Sequence, residues 1–435
     1  MTDLFAARSQ MAVSLAFHIV FAAIGIGMPL LMVLSEAIWL RTRDAVWLDI
    51  THAWARGVAV FFAVGAVSGT VLSFELGLLW PGFMEYAGAI VGMPFSLEGF
   101  AFFTEAIFLG IYLYGWNRVS PRAHWWAGVA VAVSGAASAL FVLAVNGWMN
   151  APLGFEHTPG GPVSIDPVAA MLNPYWITNT VHMLIAAFMA TAFGAAGIHA
   201  LMLLRDPAHP FHRRALGLCL VVGGVAAVAQ PLSGDVTARI VAEQQPAKFA
   251  AMEGHFETQA CAPLRIGGWP DLERRETRYA LEIPCGLSFL ATHDPNAVIV
   301  GLNDFPADEV PDTRVVHIAF QVMVACAMAM LALGLFAGFH ALRHRTLPIQ
   351  PWFLRALVLA APLGFIAIEA GWVVTEVGRQ PWIIYGIMRT ADAVTPMPGL
   401  VVPFTVFTLL YVLLSVVVVV VMRRQVLATR DVGTR

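Results

Sequence analysis

Nine stretches of this chain are apolar over lengths that only a lipid bilayer accommodates: 12–40, 53–79, 95–116, 124–147, 178–204, 215–232, 315–341, 353–376 and 400–422. Each reaches the ~18–20 residues needed to cross the hydrocarbon. Lipid offers backbone N–H and C=O groups no partner, so segments of this kind cross as helices that satisfy their own hydrogen bonds. The expected fold is an all-α integral membrane protein of about nine spanning helices. A large soluble protein with a greasy core is excluded by composition: 59% of the residues are hydrophobic and only 12% charged, against roughly 25% charged in soluble proteins. The mean hydropathy is +0.73. The net charge of −3 carries little information when most of the surface faces membrane lipid, and no basic tract points to nucleic acid. Met1–Gln10 holds Asp3 and Arg8, and no small-residue cleavage site follows the first apolar stretch. That stretch reads as a retained helix rather than a removed signal.

One polar segment, 233–314, interrupts the pattern. At roughly eighty residues it is too long for a structureless connection, so an ordered extramembrane lobe is expected. The chain then divides into 1–232 (helices 1–6), 233–314 (the lobe) and 315–435 (helices 7–9 and a tail). Arginines set the orientation. Arg41, Arg43, Arg118, Arg122, Arg205, Arg213, Arg214, Arg343, Arg345, Arg423 and Arg424 all fall in connections of one side, whereas 80–94 and 148–177 contain no Lys or Arg. The positive-inside rule puts the N-terminus and the lobe outside and the C-terminus in the cytoplasm.

Ionisable residues inside spanning helices cost a few kcal/mol or more and are functional candidates by default. His18, Glu75, Glu98, Glu105, His182, Glu369 and Glu376 stand out, joined by Met323 as a soft potential metal ligand. His18, Glu98, Glu105, His182, Met323 and Glu369 all fall in the outer half of the membrane. Taken singly, a membrane histidine serves equally well to hydrogen-bond a neighbouring helix, and a methionine is more often core filler. Glu98 and Glu105 are seven residues apart, on one helix face, which fits a proton path or a structural pair. Together, His and Met are a known low-spin haem ligand pair. His52, His124, His199, His209, His212, His340 and His344 lie near the inner helix ends, where interfacial placement accounts for them.

Five strings narrow these alternatives. They are R-S-Q-M-A-V-S-L-A-F-H (Arg8–His18), S-L-E-G-F-A-F-F-T-E (Ser96–Glu105), V-N-G-W-M-N-A-P (Val145–Pro152), F-Q-V-M-V-A-C (Phe320–Cys326) and I-E-A-G-W-V-V-T-E-V-G-R-Q-P-W (Ile368–Trp382). In this order, over nearly the whole chain, they resemble the signature segments of subunit I of cytochrome bd quinol oxidase. The resemblance implies that His182 and Met323 are the axial ligands of a low-spin haem b. His18 and Glu369 would hold two high-spin haems, one a haem b and the other haem d or a further haem b. Arg379 and Gln380 of the G-R-Q-P-W string would help bind the cofactors. Glu98 and Glu105 resemble the acidic pair of proton delivery. K-F-A-A-M-E (Lys248–Glu253) resembles the quinol-binding stretch, with Lys248 and Glu253 as its polar contacts. Implied too are quinol oxidation outside, dioxygen reduction to water with electrogenic uptake of cytoplasmic protons, a bacterial cytoplasmic (inner) membrane location, a second membrane subunit (subunit II), and in some assemblies a small single-helix subunit. The short lobe is shared with the cyanide-resistant branch. Gln321 departs from the pattern, since many members have arginine there.

Two rival classes remain open to the residues alone. An ion-coupled transporter would also need intramembrane carboxylates, but it predicts inverted repeats or broken helices in matching halves, and the chain has no such internal symmetry. A haem electron carrier without oxygen chemistry would lack a high-spin, ligand-accepting component. Of the four cysteines, Cys219 and Cys326 lie in apolar helices. Cys261 and Cys285 are the two in the lobe, where an oxidising compartment lets disulfides persist, so a bridge between them is expected.

Overall fold

The computed structural model describes residues 2–429. Among these, nine helices are long and apolar enough to cross a membrane: α1 (Asp3–Thr42), α2 (Ala45–Leu79), α3 (Pro81–Tyr114), α4 (Pro121–Asn150), α5 (Trp176–Leu203), α6 (Pro210–Gln244), α7 (Thr313–His344), α8 (Pro351–Val377) and α9 (Val401–Ala428). Their starts are written in the sequence. Side chains of Thr2, Asp44, Ser120 and Asp312 accept hydrogen bonds from first-turn N–H groups of α1, α2, α4 and α7. Pro81, Pro121, Pro210 and Pro351 occupy the first helical position of α3, α4, α6 and α8, where the missing N–H costs nothing.

Helices α1–α4 pack as one four-helix group and α5–α8 as a second; α1 and α4 press on α5, and α9 lies against α1 and α2. Small residues allow the closest approaches. A side chain at Gly27 would collide with Thr191, and one at Gly364 with the Ala190 backbone. Thr191 Oγ1 donates across this seam to the Ala23 carbonyl at 3.1 Å, the kind of contact that holds helices together in lipid.

Two helices run well past their expected limits. The stretch 80–94, expected as a connection, is the first half of α3, joined to α2 through Trp80 alone. Its glycines lower the hydropathy, but Phe83, Ala87, Ile90 and Val91 bury against Trp148, Ile384 and Ala393, and that packing carries the helix. Helix α6 continues from 233 to Gln244, supported by the Asp235–Arg239 pair one turn apart, so the lobe proper opens at Gln245. α8 is interrupted at Ala361–Pro362, where proline cannot donate to the helix ladder.

The lobe is a set of short antiparallel pairs: 259–260 with 298–299, 264–266 with 281–283, and 269–271 with 276–278. With them come helices Pro246–Glu253 and Gly286–Thr292. Cys261 and Cys285 are disulfide-bonded, with Cα atoms 4.1 Å apart. Apolar residues of the first lobe helix (Phe249, Ala250, Met252) bury against Val241, Leu287, Val316 and Val374, seating the lobe on the ends of α6, α7 and α8. Gln321 of α7 adds a polar clasp: its carbonyl accepts from Gly267 N at 2.9 Å and its amide donates to Arg265 O at 3.1 Å. Gln321 thus holds the lobe down.

Candidate cofactor and substrate sites

Each histidine candidate is backed by a serine of the helix it faces. His182 Nδ1 lies 2.9 Å from Ser233 Oγ on α6; His18 Nδ1 lies 3.0 Å from Ser68 Oγ on α2. Met323 of α7 faces α8, its Sδ 3.1 Å from where a Cβ on Gly371 would sit. Glu369, one half-turn earlier on α8, has a buried carboxyl oxygen with no hydrogen-bond partner. It opens on an apolar surface groove of about 810 Å³ lined by Val20, Val322, Phe365, Ile366 and Val373. Of the four candidate donors, Glu369 lines it. Among the described residues no cluster of three or more His, Cys, Asp or Glu is arranged to hold a bare metal ion.

A second observation fits an anionic cofactor edge. Arg379 is 2% exposed. Its Nη2 donates to Glu376 Oε2 at 2.5 Å, while its Nε and Nη1 are buried without partners. Lys248, 4% exposed, donates from Nζ to Asn150 Oδ1 at 2.6 Å. Burial, with Arg379 close by, holds the Lys248 amine far below its ordinary range, and Glu376 opposes the shift. The Glu376 carboxylate that pairs with Arg379 also accepts from Asn146 Nδ2 at 2.8 Å. Unpaired buried cationic groups are expensive, so carboxylates of a haem would be well received here. Gln380 is turned to local work, accepting from Thr390 Oγ1 at 2.9 Å.

The expected quinol pair is buried rather than solvated. Glu253 is 4% exposed, and burial pushes its carboxyl up to about 8, with Arg265 pulling the other way. Its Oε2 has no partner. The helix ends there because Gly254 adopts φ +57°, where a Cβ would meet Thr277 Oγ1 at 2.5 Å. Arg265 Nη1 reaches Gly254 O at 3.3 Å and lies 3.5 Å from His255 Nδ1, so a cation and an imidazole flank the Glu253 turn. In the acidic pair, Ser138 Oγ donates to Glu98 Oε1 at 3.0 Å. Glu105 lies against α4, where a Cβ on Gly135 would come within 3.3 Å of its carboxylate.

The family model for cytochrome bd terminal oxidase subunit I matches residues 6–429. The chain belongs to the cytochrome bd subunit I family. It is 37% identical over 426 residues to the putative cytochrome bd menaquinol oxidase subunit I of Bacillus subtilis (strain 168), covering 97% of this chain and 96% of that protein. It is 29% identical over 440 residues to cytochrome bd ubiquinol oxidase subunit 1 of the same organism, covering 98% and 94%. The structure of bd oxidase from Geobacillus thermodenitrificans matches with a TM-score of 0.92 at 40% identity, over 98% of each chain. The protein is accordingly a membrane-spanning subunit of a respiratory quinol oxidase.

As a cytochrome bd subunit I, the chain holds further buried polar groups that reading along the sequence passed over. Glu36 is fully buried and joins three helices: Tyr112 OH donates to Oε2 at 2.7 Å and His124 Nδ1 lies 2.8 Å from Oε1. His124, set aside as interfacial, is 2% exposed. His199, His209 and His212, set aside on the same ground, are also buried, with His199 and His212 joined through their Nδ1 atoms at 3.0 Å. His317 was not singled out, yet it is buried and bonds Met252 O and Gly267 O at 2.8 and 3.0 Å, fixing the lobe to α7. The signal in the sequence was only that each is polar in or beside an apolar helix; their partners lie on other segments.

Proposed function

We propose that this chain is the haem-carrying subunit of a terminal oxidase that oxidises quinol at the lobe and reduces dioxygen to water. The observation that carries the reading is that a chain matched to the family over 6–429 backs His18 and His182 with serines of facing helices, packs Met323 Sδ on Gly371 of α8 and buries the Glu369 carboxyl without a partner. His182 and Met323 would hold the low-spin haem b. His18 and Glu369 would hold the two high-spin haems, a haem b and either haem d or a second haem b. Arg379 would meet cofactor carboxylates, and Lys248 would stand with Glu253 as a polar contact of the quinol. When bound, these haems supply one-electron transfer from quinol to dioxygen.

The residues of the chain handle protons. Glu253, at the end of the first lobe helix, is the acceptor for a quinol hydroxyl, and only its ionised form can serve. Arg265 favours that form. On the acidic face of α3, Ser138 donates to Oε1 of Glu98, which leaves Oε2 to carry a proton toward the oxygen-reducing site. Glu105, one side-chain repeat deeper on the same face, supplies it from the arginine-rich side.

That side carries Arg41, Arg43, Arg118, Arg122, Arg213 and Arg214, so it is assigned to the cytoplasm of a bacterial inner membrane, with the lobe and N-terminus outside. Protons taken from inside for water and released outside from quinol separate charge without a pump. Exposed Phe74, Leu78, Phe100, Phe103 and Ile107 on α2 and α3 suit lipid or a second membrane subunit. Subunit II and, in some assemblies, a single-helix subunit are the expected partners.

The test is the reduced-minus-oxidised visible spectrum of the purified complex, with carbon monoxide added and quinol-driven oxygen uptake measured alongside. A low-spin band, a carbon-monoxide-reactive high-spin component and quinol-dependent oxygen consumption are expected. No Soret band would return the chain to the transporter class. A Soret band without a carbon-monoxide-reactive component would leave an electron carrier.

A further inference from the structure

The two buried imidazoles share a construction that their positions in the sequence do not foretell. Ser68 precedes Gly69 on α2, and Ser233 precedes Gly234 on α6. In each pair the serine hydroxyl touches histidine Nδ1, at 3.0 Å for His18 and 2.9 Å for His182. The ring packs on the glycine in both: a Cβ at Gly69 would crowd His18 Cε1 at 3.0 Å, and one at Gly234 would sit in ordinary contact with His182 Cε1 at 3.5 Å. A hydroxyl has one hydrogen. Ser68 sends its hydrogen back to Val64 O at 2.9 Å, with Gly65 O at 3.1 Å. Ser233 sends its own to Gln230 O at 2.8 Å. Each serine oxygen is then an acceptor toward the ring. The Gly65 carbonyl, which can only accept, also faces His18.

We propose that Ser68 and Ser233 are matched positioning residues: each fixes its histidine as the Nδ1–H tautomer and aims the Nε2 lone pair at haem iron. This rests on the reading that His18 and His182 are axial ligands. Outer-shell acceptors of this kind hold ring orientation and raise the donor strength of the coordinating nitrogen. Gln230 agrees with the assignment. Its amide nitrogen lies 3.1 Å from His182 Nε2 and 3.4 Å from Nδ1, nearer the nitrogen assigned the lone pair. The Gln230 carbonyl oxygen is buried without a partner, leaving this amide free to give way to a stronger acceptor of the lone pair.

The experiment uses the intact oxidase carrying Ser233→Ala, Ser233→Thr, Ser68→Ala or Ser68→Thr, with His182→Ala as reference. Redox titration is followed separately at the low-spin and high-spin bands. Resonance Raman reads the iron–histidine stretch of the reduced high-spin haem. Losing the acceptor weakens the imidazole as a donor, which favours ferrous iron. Ser233→Ala is expected to raise the midpoint potential of the low-spin haem alone, moving the reduced-to-oxidised ratio at fixed ambient potential by about tenfold or more, the scale typical of losing an outer-shell partner. Ser68→Ala is expected to shift a high-spin haem and lower its iron–histidine frequency. Each threonine variant, which keeps the hydroxyl, restores the parent values. Full haem content with unshifted potentials and frequencies in the alanine variants overturns the proposal while leaving the ligand reading intact. If an alanine variant loses its haem, recovery in the threonine variant supports the proposal and equal loss overturns it. A low-spin band that survives His182→Ala refutes the ligand reading itself.

Discussion

Replacing Glu253 by glutamine keeps the side chain's size and removes its ability to ionise, which isolates its part in quinol oxidation. Burial pushes this carboxyl from the ordinary 4.5 to about 8. The difference, 8 − 4.5, corresponds to about 5 kcal/mol favouring the neutral acid at 1.36 kcal/mol per unit. At pH 7 only about a tenth of the enzyme carries the ionised, proton-accepting form, and at pH 6 about a hundredth. The parent enzyme should therefore show an acidic limb in kcat/KM for quinol, rising with pH and levelling near 8. Glu253→Gln should abolish that limb and lower the plateau by about 10²–10⁴, the usual worth of a general base, with every haem band intact. Linkage fixes the sign of the stability effect. The folded value is raised, so in the parent the unfolded chain releases its proton first. Stability then falls as pH rises from about 4.5 to about 8 and is flat beyond. Glutamine removes that slope. The assay is a pH–rate series with purified complex under saturating oxygen, paired with thermal unfolding across the same pH range. An acidic limb with the same midpoint in the glutamine variant would show that another group accepts the proton.

Three further outcomes are expected. Met323→Leu should remove or alter the low-spin band while the protein still inserts; an unchanged low-spin spectrum would count against Met323 as a ligand. Thiol labelling under denaturing, non-reducing conditions should modify Cys219 and Cys326 alone, and Cys261→Ser should weaken the lobe by about 3 kcal/mol through the loop it opens, read as easier proteolysis of 245–312; labelling of all four cysteines before reduction would contradict the bridge. Glu36→Ala strips Tyr112 and His124 of their shared partner at a fully buried site, so thermal stability should fall by about 1–3 kcal/mol per orphaned group; an unchanged melting temperature would mean that water replaces the carboxylate there.

What the sequence by itself determined follows from the bilayer. Lipid cannot hydrogen-bond a backbone, so apolar stretches of spanning length are helices whatever their neighbours, and their number was legible from hydropathy alone. The candidate donors were legible for a related reason: polar groups in hydrocarbon are costly and hence few, so His18, His182 and Glu369 stood out before any contact was known, with Met323 added as a soft potential ligand. Helix limits were less legible. Residues 81–94 and 233–244 are helical because of what they pack against or pair with, while hydropathy registers only the fall in apolarity. The tertiary structure alone decided the partners. Lys248 and Glu253 stood out only through the string that resembles the quinol segment; it is the fold that brings Asn150, Glu376 and Arg379 from distant segments around Lys248 and buries Glu253 by seating the lobe on α6–α8. Ser68 meets His18 across 50 residues and Ser233 meets His182 across 51. Hydrophobic periodicity is a local property and can be read along the chain. A buried polar group's partner is set by which helices lie side by side, and that depends on the close approach of small residues such as Gly27, Gly135 and Gly364.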